Sequence, residues 1–225
     1  LPVPARLRPT APIAADAILV GDPGRALLLA QELLVRPKMC NHARGLWGYS
    51  GQTAAGRELT IQSTGMGGPS AVLVLDDLAE LGVRRAVRVG TCVALGEDHR
   101  LGELLLVGAA IAAGGSAAAF GLAPGESVSP DRTLLASLGS ALGDEAKTAA
   151  VASLDTHPGE PEQLPPGTVA ADMQTVAVFA CARNLGIAAA AVLIVSEGNG
   201  EAIDDAELDT AAKRAGHAAI KGLSR

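Results

Sequence analysis

The sequence predicts a three-layer α/β domain, with helices on both faces of a sheet. Apolar runs of strand length alternate with segments of helical leucine and alanine spacing from residue 16 to residue 223. The turns after the first three strands are rich in glycine, as a tight strand-to-helix reversal requires. Aromatic residues make up only 2% of the 225, while Ala, Val and Leu abound, so the core must consist of small aliphatic side chains packed between strands and helices.

The elements follow in order. Asp16–Val20 is a short apolar run ending at Gly21-Asp22-Pro23-Gly24, after which residues 25–35 show helical leucine spacing. Residues 57–63 alternate polar and apolar as a strand does. They turn through Gly65-Met66-Gly67-Gly68-Pro69 into a helix over 70–81 that Gly82 closes. Residues 85–89 form a third strand ending in Gly90-Thr91-Cys92. A fourth, over 103–112, is apolar enough for burial on both faces, which suits parallel pairing. A glycine- and alanine-rich loop over 114–124 precedes a helix over 131–142 and a strand over 148–153. Then come 168–171, a helix over 173–185, a strand over 189–195 and a final helix over 205–223. Residues 157–167, with four prolines, are expected to be an irregular loop. Residues 1–15 are expected to be an irregular N-terminal segment, and with neither internal repeat nor linker the chain reads as one domain.

Composition narrows the function. The formal net charge is −6 at pH 7, and Lys and Arg form no stripe that could track a phosphodiester backbone, which argues against a nucleic-acid partner. Cys40, Cys92 and Cys181 are odd in number and outside any CxxC or Cys/His cluster, suggesting neither a disulfide framework nor a zinc site. Residues 1–12 hold no apolar core of signal-peptide length and no uninterrupted apolar run reaches membrane-spanning length, so a cytoplasmic protein without a membrane partner is expected.

The chemistry is concentrated in three turns: Gly21-Asp22-Pro23-Gly24-Arg25, Gly65-Met66-Gly67-Gly68-Pro69-Ser70 and Arg88-Val89-Gly90-Thr91-Cys92. In open α/β sheets, ligands sit at the carboxyl ends of strands, where glycine lets backbone N–H groups approach an anion. Any one such glycine is by itself an ordinary turn residue. Arg25 and Arg88 shift the balance, because each lies beside such a turn and a guanidinium fork matches phosphate oxygens. Arg44, taken alone, is an ordinary surface arginine, and His42 and Trp47 read as loop packing.

Four motifs occur in order: Gly-Asp-Pro-x-Arg at 21–25, Asn-x-x-Arg-Gly at 41–45, Gly-Met-Gly-x-Pro-Ser at 65–70 and Arg-Val-Gly-Thr at 88–91. With these the sequence resembles the nucleoside phosphorylases, which include purine nucleoside phosphorylase and uridine phosphorylase, from about Ile18 to the end of the chain. The resemblance implies an αβα sandwich whose central sheet is mixed and partly barrel-like. It implies that Gly21, Arg25, Arg88 and Thr91 hold phosphate, that Arg88 also serves catalysis, and that Arg44 reaches the site of a neighbouring subunit. It implies a homo-oligomer, dimers assembled into a hexamer. Met66 would pack on the ribose, and Cys92, Val93 and His157 would flank the base.

In the second half the family pattern Glu-Met-Glu is replaced by Asp172-Met173-Gln174, and Ser-Asp by Ser196-Glu197. Those groups matter because glycosidic cleavage builds cationic charge on the ribose and negative charge on the departing base. Gln174 can hydrogen-bond a hydroxyl but brings no negative charge, a change that can cost about 3 kcal/mol of transition-state stabilisation. Glu197, the expected acid, is one methylene longer than aspartate, and Val93 stands where the family has glycine.

The expected reaction is phosphorolysis of a nucleoside to free base and pentose 1-phosphate, with phosphate as co-substrate and neither metal nor cofactor. Two other readings stay open: a nucleosidase of the same fold, which three arginines around the nucleophile argue against, and a catalytically silent homologue that keeps the phosphate cradle. A dinucleotide-binding protein is disfavoured because no G-x-G-x-x-G follows the first strand.

Overall fold

The computed structural model describes residues 6–157 and 164–224. In chain order it contains β1 Asp16–Val20, α1 Pro23–Leu33, β2 Val35–Asn41, β3 Gly48–Gln52, β4 Glu58–Ser63, α2 Gly67–Glu80, β5 Arg85–Ala94 and β6 Leu104–Ala112. There follow α3 Gly115–Ala118, β7 Ser127–Val128, α4 Arg132–Leu142, β8 Ala146–Ser153, β9 Ala170–Asp172, α5 Thr175–Leu185, β10 Ala188–Gly198, β11 Glu201–Ala202 and α6 Asp205–Leu223.

Local chemistry sets the helix boundaries. Asp22, Asp131 and Asp204 each stand just before a helix and accept a hydrogen bond from the backbone N–H three residues on, at 2.7–2.8 Å. Pro23 occupies the first turn of α1, where no N–H is needed. Gly186 ends α5 with φ 69°, the left-handed conformation that a helix stop favours.

All the strands among the described residues join in one eleven-stranded sheet. Five of them close on themselves. β5 pairs parallel with β10, β10 antiparallel with β6, β6 parallel with β8, β8 parallel with β9, and β9 antiparallel with β5. β1, β4, β3 and β2 extend from β5 as an open wing. The fold is therefore the expected α/β sandwich around a mixed, partly barrel-like sheet.

Alternation along the strands confirms the layers. In β10, Ala189, Ala191, Leu193 and Val195 enter one core with α2 and α5, while Ala190, Val192 and Ile194 enter a second with α1, α4 and α6. A strand buried on both faces reads as a continuous apolar run.

Several boundaries differ from expectation. The helix expected over 25–35 starts at Pro23 and stops at Leu33, and the chain turns directly into β2. β2 and β3 escaped notice because β2 holds Pro37 at the sheet's open edge with mostly exposed side chains, and β3 contains two glycines, so neither carries an apolar period. The 114–124 loop contains the short α3. β6 is parallel to β8 but antiparallel to β10, so the expected parallel pairing holds on one side. The proline-rich loop lies partly outside the described residues, which omit 158–163. Among the described residues no helix is long and apolar enough to cross a membrane.

Candidate active site

β1, β4, β5 and β10 run parallel, so their carboxyl ends reach one edge of the sheet. There they enclose a cleft of about 230 Å³. Its lining includes the expected phosphate residues Gly21, Arg25, Arg88 and Thr91. The residues expected around ribose and base, Met66, Cys92, Val93, His157, Asp172, Met173, Gln174 and Glu197, line it as well. Arg44 does not line the cleft of its own chain. It is exposed on a short turn over Ala43–Gly45 with φ 59°, the left-handed region.

The two arginines differ physically. Arg25, in the first turn of α1, makes no side-chain hydrogen bond or ion pair among the described residues. Burial lowers its pKa, with nearby Arg88 acting in the same sense and Asp22 and Asp209 opposing it. A half-buried guanidinium without a partner is a cation short of its anion.

Arg88 is only 5% exposed and is held on three sides. Its Nε donates to Thr175 Oγ1 at 3.1 Å, one terminal nitrogen to Gln174 Oε1 at 2.7 Å, and the other to Asp172 Oδ2 at 2.9 Å. Gly90, two residues on along β5, makes room for it: a side-chain carbon there would lie 2.6 Å from Arg88 Cζ. Thr91 also faces the cleft, and its hydroxyl has no hydrogen-bond partner among the described residues.

The side chains expected at the sugar are bound to one another. Asp172 is buried, and besides Arg88 its carboxylate accepts from the Thr175 N–H at 3.0 Å, from Thr175 Oγ1 at 2.6 Å and from Ser153 Oγ. Gln174 Oε1 also accepts from Thr64 Oγ1 at 3.1 Å, while its Nε2 donates to the carbonyls of Gly65 at 2.6 Å and Gly67 at 3.2 Å. Thr175, Ser153 and Thr64 were not foreseen from sequence. Asp172-x-x-Thr175 is helix-capping spacing and could have pointed to Thr175; the other two are brought in from distant strands.

Glu197, expected near the base, lies 3.1 Å from His157 Nε2 with its side chain 43% exposed. A bulge between Val195 and Glu197 breaks the regular register of β10 with β5 at this point. Val93 is a strand residue rather than a turn residue, because β5 continues to Ala94; it pairs with Ala171 on one side and Glu197 on the other. A β-branched side chain suits that position. Cys92 turns its thiol inward, 3.6 Å from the Ile194 carbonyl, and burial pushes its pKa up, so it presents no thiolate.

Comparison with known proteins agrees with this geometry. The family model described as "Phosphorylase superfamily" matches residues 16–224. A "Purine nucleoside phosphorylase DeoD-type" of Clostridium perfringens is 30% identical over 196 residues, 82% of each chain. The protein of the same description from Alkaliphilus metalliredigens is 30% identical over 194 residues, 82% of this chain and 83% of its own. That of Oceanobacillus iheyensis is 41% identical over a shorter stretch of 87 residues, 38% of this chain and 37% of its own. With the family model covering nearly the whole chain and the closed five-strand sheet in place, the chain belongs to the phosphorylase superfamily.

Proposed function

We propose that the protein catalyses phosphorolysis of a nucleoside, releasing the free base and pentose 1-phosphate. The observation that carries this is the guanidinium of Arg25 beside Arg88 and the hydroxyl of Thr91, neither with a side-chain hydrogen bond among the described residues, across a cleft from Glu197 and His157. The names of the relatives support it and make a purine nucleoside the first substrate to try.

In this scheme phosphate sits between Arg25, Arg88 and Thr91, close to the Gly21 backbone, and its oxygen attacks the anomeric carbon as the bond to the base breaks. Met66 and Met173 supply apolar surface to the sugar. Glu197, with His157 in hydrogen-bond range, delivers a proton to the departing base. The scheme routes no step through a metal or organic cofactor. Arg44 is proposed to complete the phosphate site of a second subunit, which makes the working unit a homo-oligomer built from dimers.

The test is to incubate the purified protein with inosine, adenosine or uridine, with and without phosphate, and to follow base and pentose 1-phosphate. Base release that requires phosphate and yields the sugar phosphate is expected. Equal release without phosphate would instead mark a nucleosidase.

A second reading has one specific observation in its favour: Asp172 and Gln174 spend their hydrogen bonds on the protein, which leaves no carboxylate free for the ribose. A nucleoside-binding homologue without turnover would then show calorimetric binding and no product under the same conditions.

A further inference from the structure

We propose that Gln174 is a positioning residue: its side-chain amide locks the Met66 turn to the Arg88 guanidinium and makes no contact with substrate. A primary amide has two N–H donors and one oxygen with two lone pairs. Here the donors go to the Gly65 and Gly67 carbonyls at 2.6 and 3.2 Å, and the oxygen receives Arg88 and the Thr64 hydroxyl at 2.7 and 3.1 Å. Both donors are thus taken by the protein and the oxygen by Arg88, with the single Thr64 hydroxyl hydrogen in range of both Gln174 Oε1 and the Val20 carbonyl at 3.0 Å, and the residue is 3% exposed. The orientation of the amide is fixed as well. Arg88 can only donate, so the oxygen must face it and the nitrogen must face the two carbonyls.

Those carbonyls flank Met66. Gly65 and Gly67 have φ values of +71° and +79°, conformations that glycine adopts without strain, and α2 begins at Gly67 with no side-chain cap. Met66 stands between them, 88% exposed over the cleft. Two hydrogen bonds from one buried amide thus tie down the carbonyl that precedes Met66 and the carbonyl of Gly67, the first residue of α2. The Ser70 hydroxyl, donating to the Thr64 carbonyl, supports its base.

A carboxylate at position 174 could not do this. It has no donor, so both contacts to the glycine carbonyls would be lost and negative charge would be placed against them. The glutamine is therefore what this turn requires. It also leaves Asp172 as the one carboxylate in direct contact with Arg88 among the described residues. That Met66 and Arg88 face a sugar and a phosphate rests on the function proposed above; the lock itself does not.

The experiment uses the chain's three methionines as probes. With ¹³C-methyl methionine in the protein, Gln174→Glu and Gln174→Leu should both shift or broaden the Met66 methyl signal, identified by Met66→Leu, and leave that of Met39 in place. In the phosphorolysis assay, both variants should raise the nucleoside KM about tenfold, the consequence of losing buried hydrogen bonds, with a smaller effect on kcat. Gln174→Glu with an undisturbed Met66 signal and a raised kcat would overturn the proposal, since that is how a substrate ligand gaining charge behaves.

Unaltered protein offers a check that needs no variant to fold. Gln62 and Gln174 are buried, and both should show side-chain amide protons that exchange slowly with solvent before and after nucleoside and phosphate are added. Loss of that protection on adding substrate would also overturn the lock. Neither spectrum depends on turnover, so failure of the proposed reaction and failure of the lock give separate results.

Discussion

Arg25 and Arg88 carry the same charge into the same cleft and meet opposite fates. Arg88 is satisfied by Asp172, Gln174 and Thr175, so it is part of the framework as much as of the site. Arg25 is half-buried and makes no hydrogen bond or ion pair through its side chain among the described residues, which disfavours the folded protein and favours an incoming anion. Arg25→Ala should therefore raise the phosphate KM by a factor of about 10 to 100, the worth of a charge-assisted hydrogen bond of about 1.5–3 kcal/mol. The same variant should leave the thermal unfolding midpoint in phosphate-free buffer unchanged or slightly raised. Phosphate titration followed by activity and by calorimetry checks both halves; a lowered midpoint would mean that Arg25 has a structural partner. Both arginines were legible in the sequence from their place beside glycine turns. The partners of Arg88 were not, because Asp172 and Gln174 lie more than eighty residues away and nothing local marks them as its ligands.

At the scale of elements, α6 shows how small residues set geometry. Its buried face is Ala211, Ala212, Ala215, Gly216, Ala218, Ala219, Gly222 and Leu223, and it packs against α1 and α4. A side-chain carbon on Gly216 would lie 2.9 Å from Leu33 Cδ1, and one on Gly222 2.7 Å from Leu138 Cδ2. Gly216→Val should then destabilise the fold by about 1–3 kcal/mol, since overpacking outweighs the helix-propensity gain from removing glycine. Urea unfolding measures this, and an unchanged midpoint would show that α1 yields at no cost. The extent of α6 was legible because apolar and small residues recur on one face and Asp204 supplies the cap. The ends of β5 and β10 were not. Glycine and threonine at 90–91 read as a turn, yet β5 runs on to Ala94, because pairing with β9 and β10 supplies hydrogen-bond partners that no local pattern announces.

For the whole molecule, the parallel strands aim their glycine-bearing ends at one edge, and ring closure brings β9 and the bulged end of β10 to that same edge. Asp172 to Gln174 thereby line the same cleft as Arg25 and Thr91, although they are far apart in sequence. Arg44 is exposed and outside its own cleft. If it completes a second subunit's site, Arg25→Ala and Arg44→Ala should each be impaired alone. Dissociated and reassembled together they should recover about a quarter of native activity, because half of randomly formed symmetric dimers are mixed and each mixed dimer has one intact site. Absence of recovery, with mixed dimers verified by mass spectrometry, would place Arg44 outside the catalytic unit.

The sequence by itself determined the α/β class, most of the helices and the glycine turns and arginines that line the cleft, because these rest on local chemistry: apolar period, caps and glycine next to arginine. Only the tertiary structure decided that five strands close into a ring, that β2 and β3 form the open wing, and that Asp172 and Gln174 are committed to Arg88 and the Met66 turn. Strand pairing and buried hydrogen bonds join residues far apart along the chain. Such partners are chosen by which donors and acceptors burial would otherwise leave unpaired.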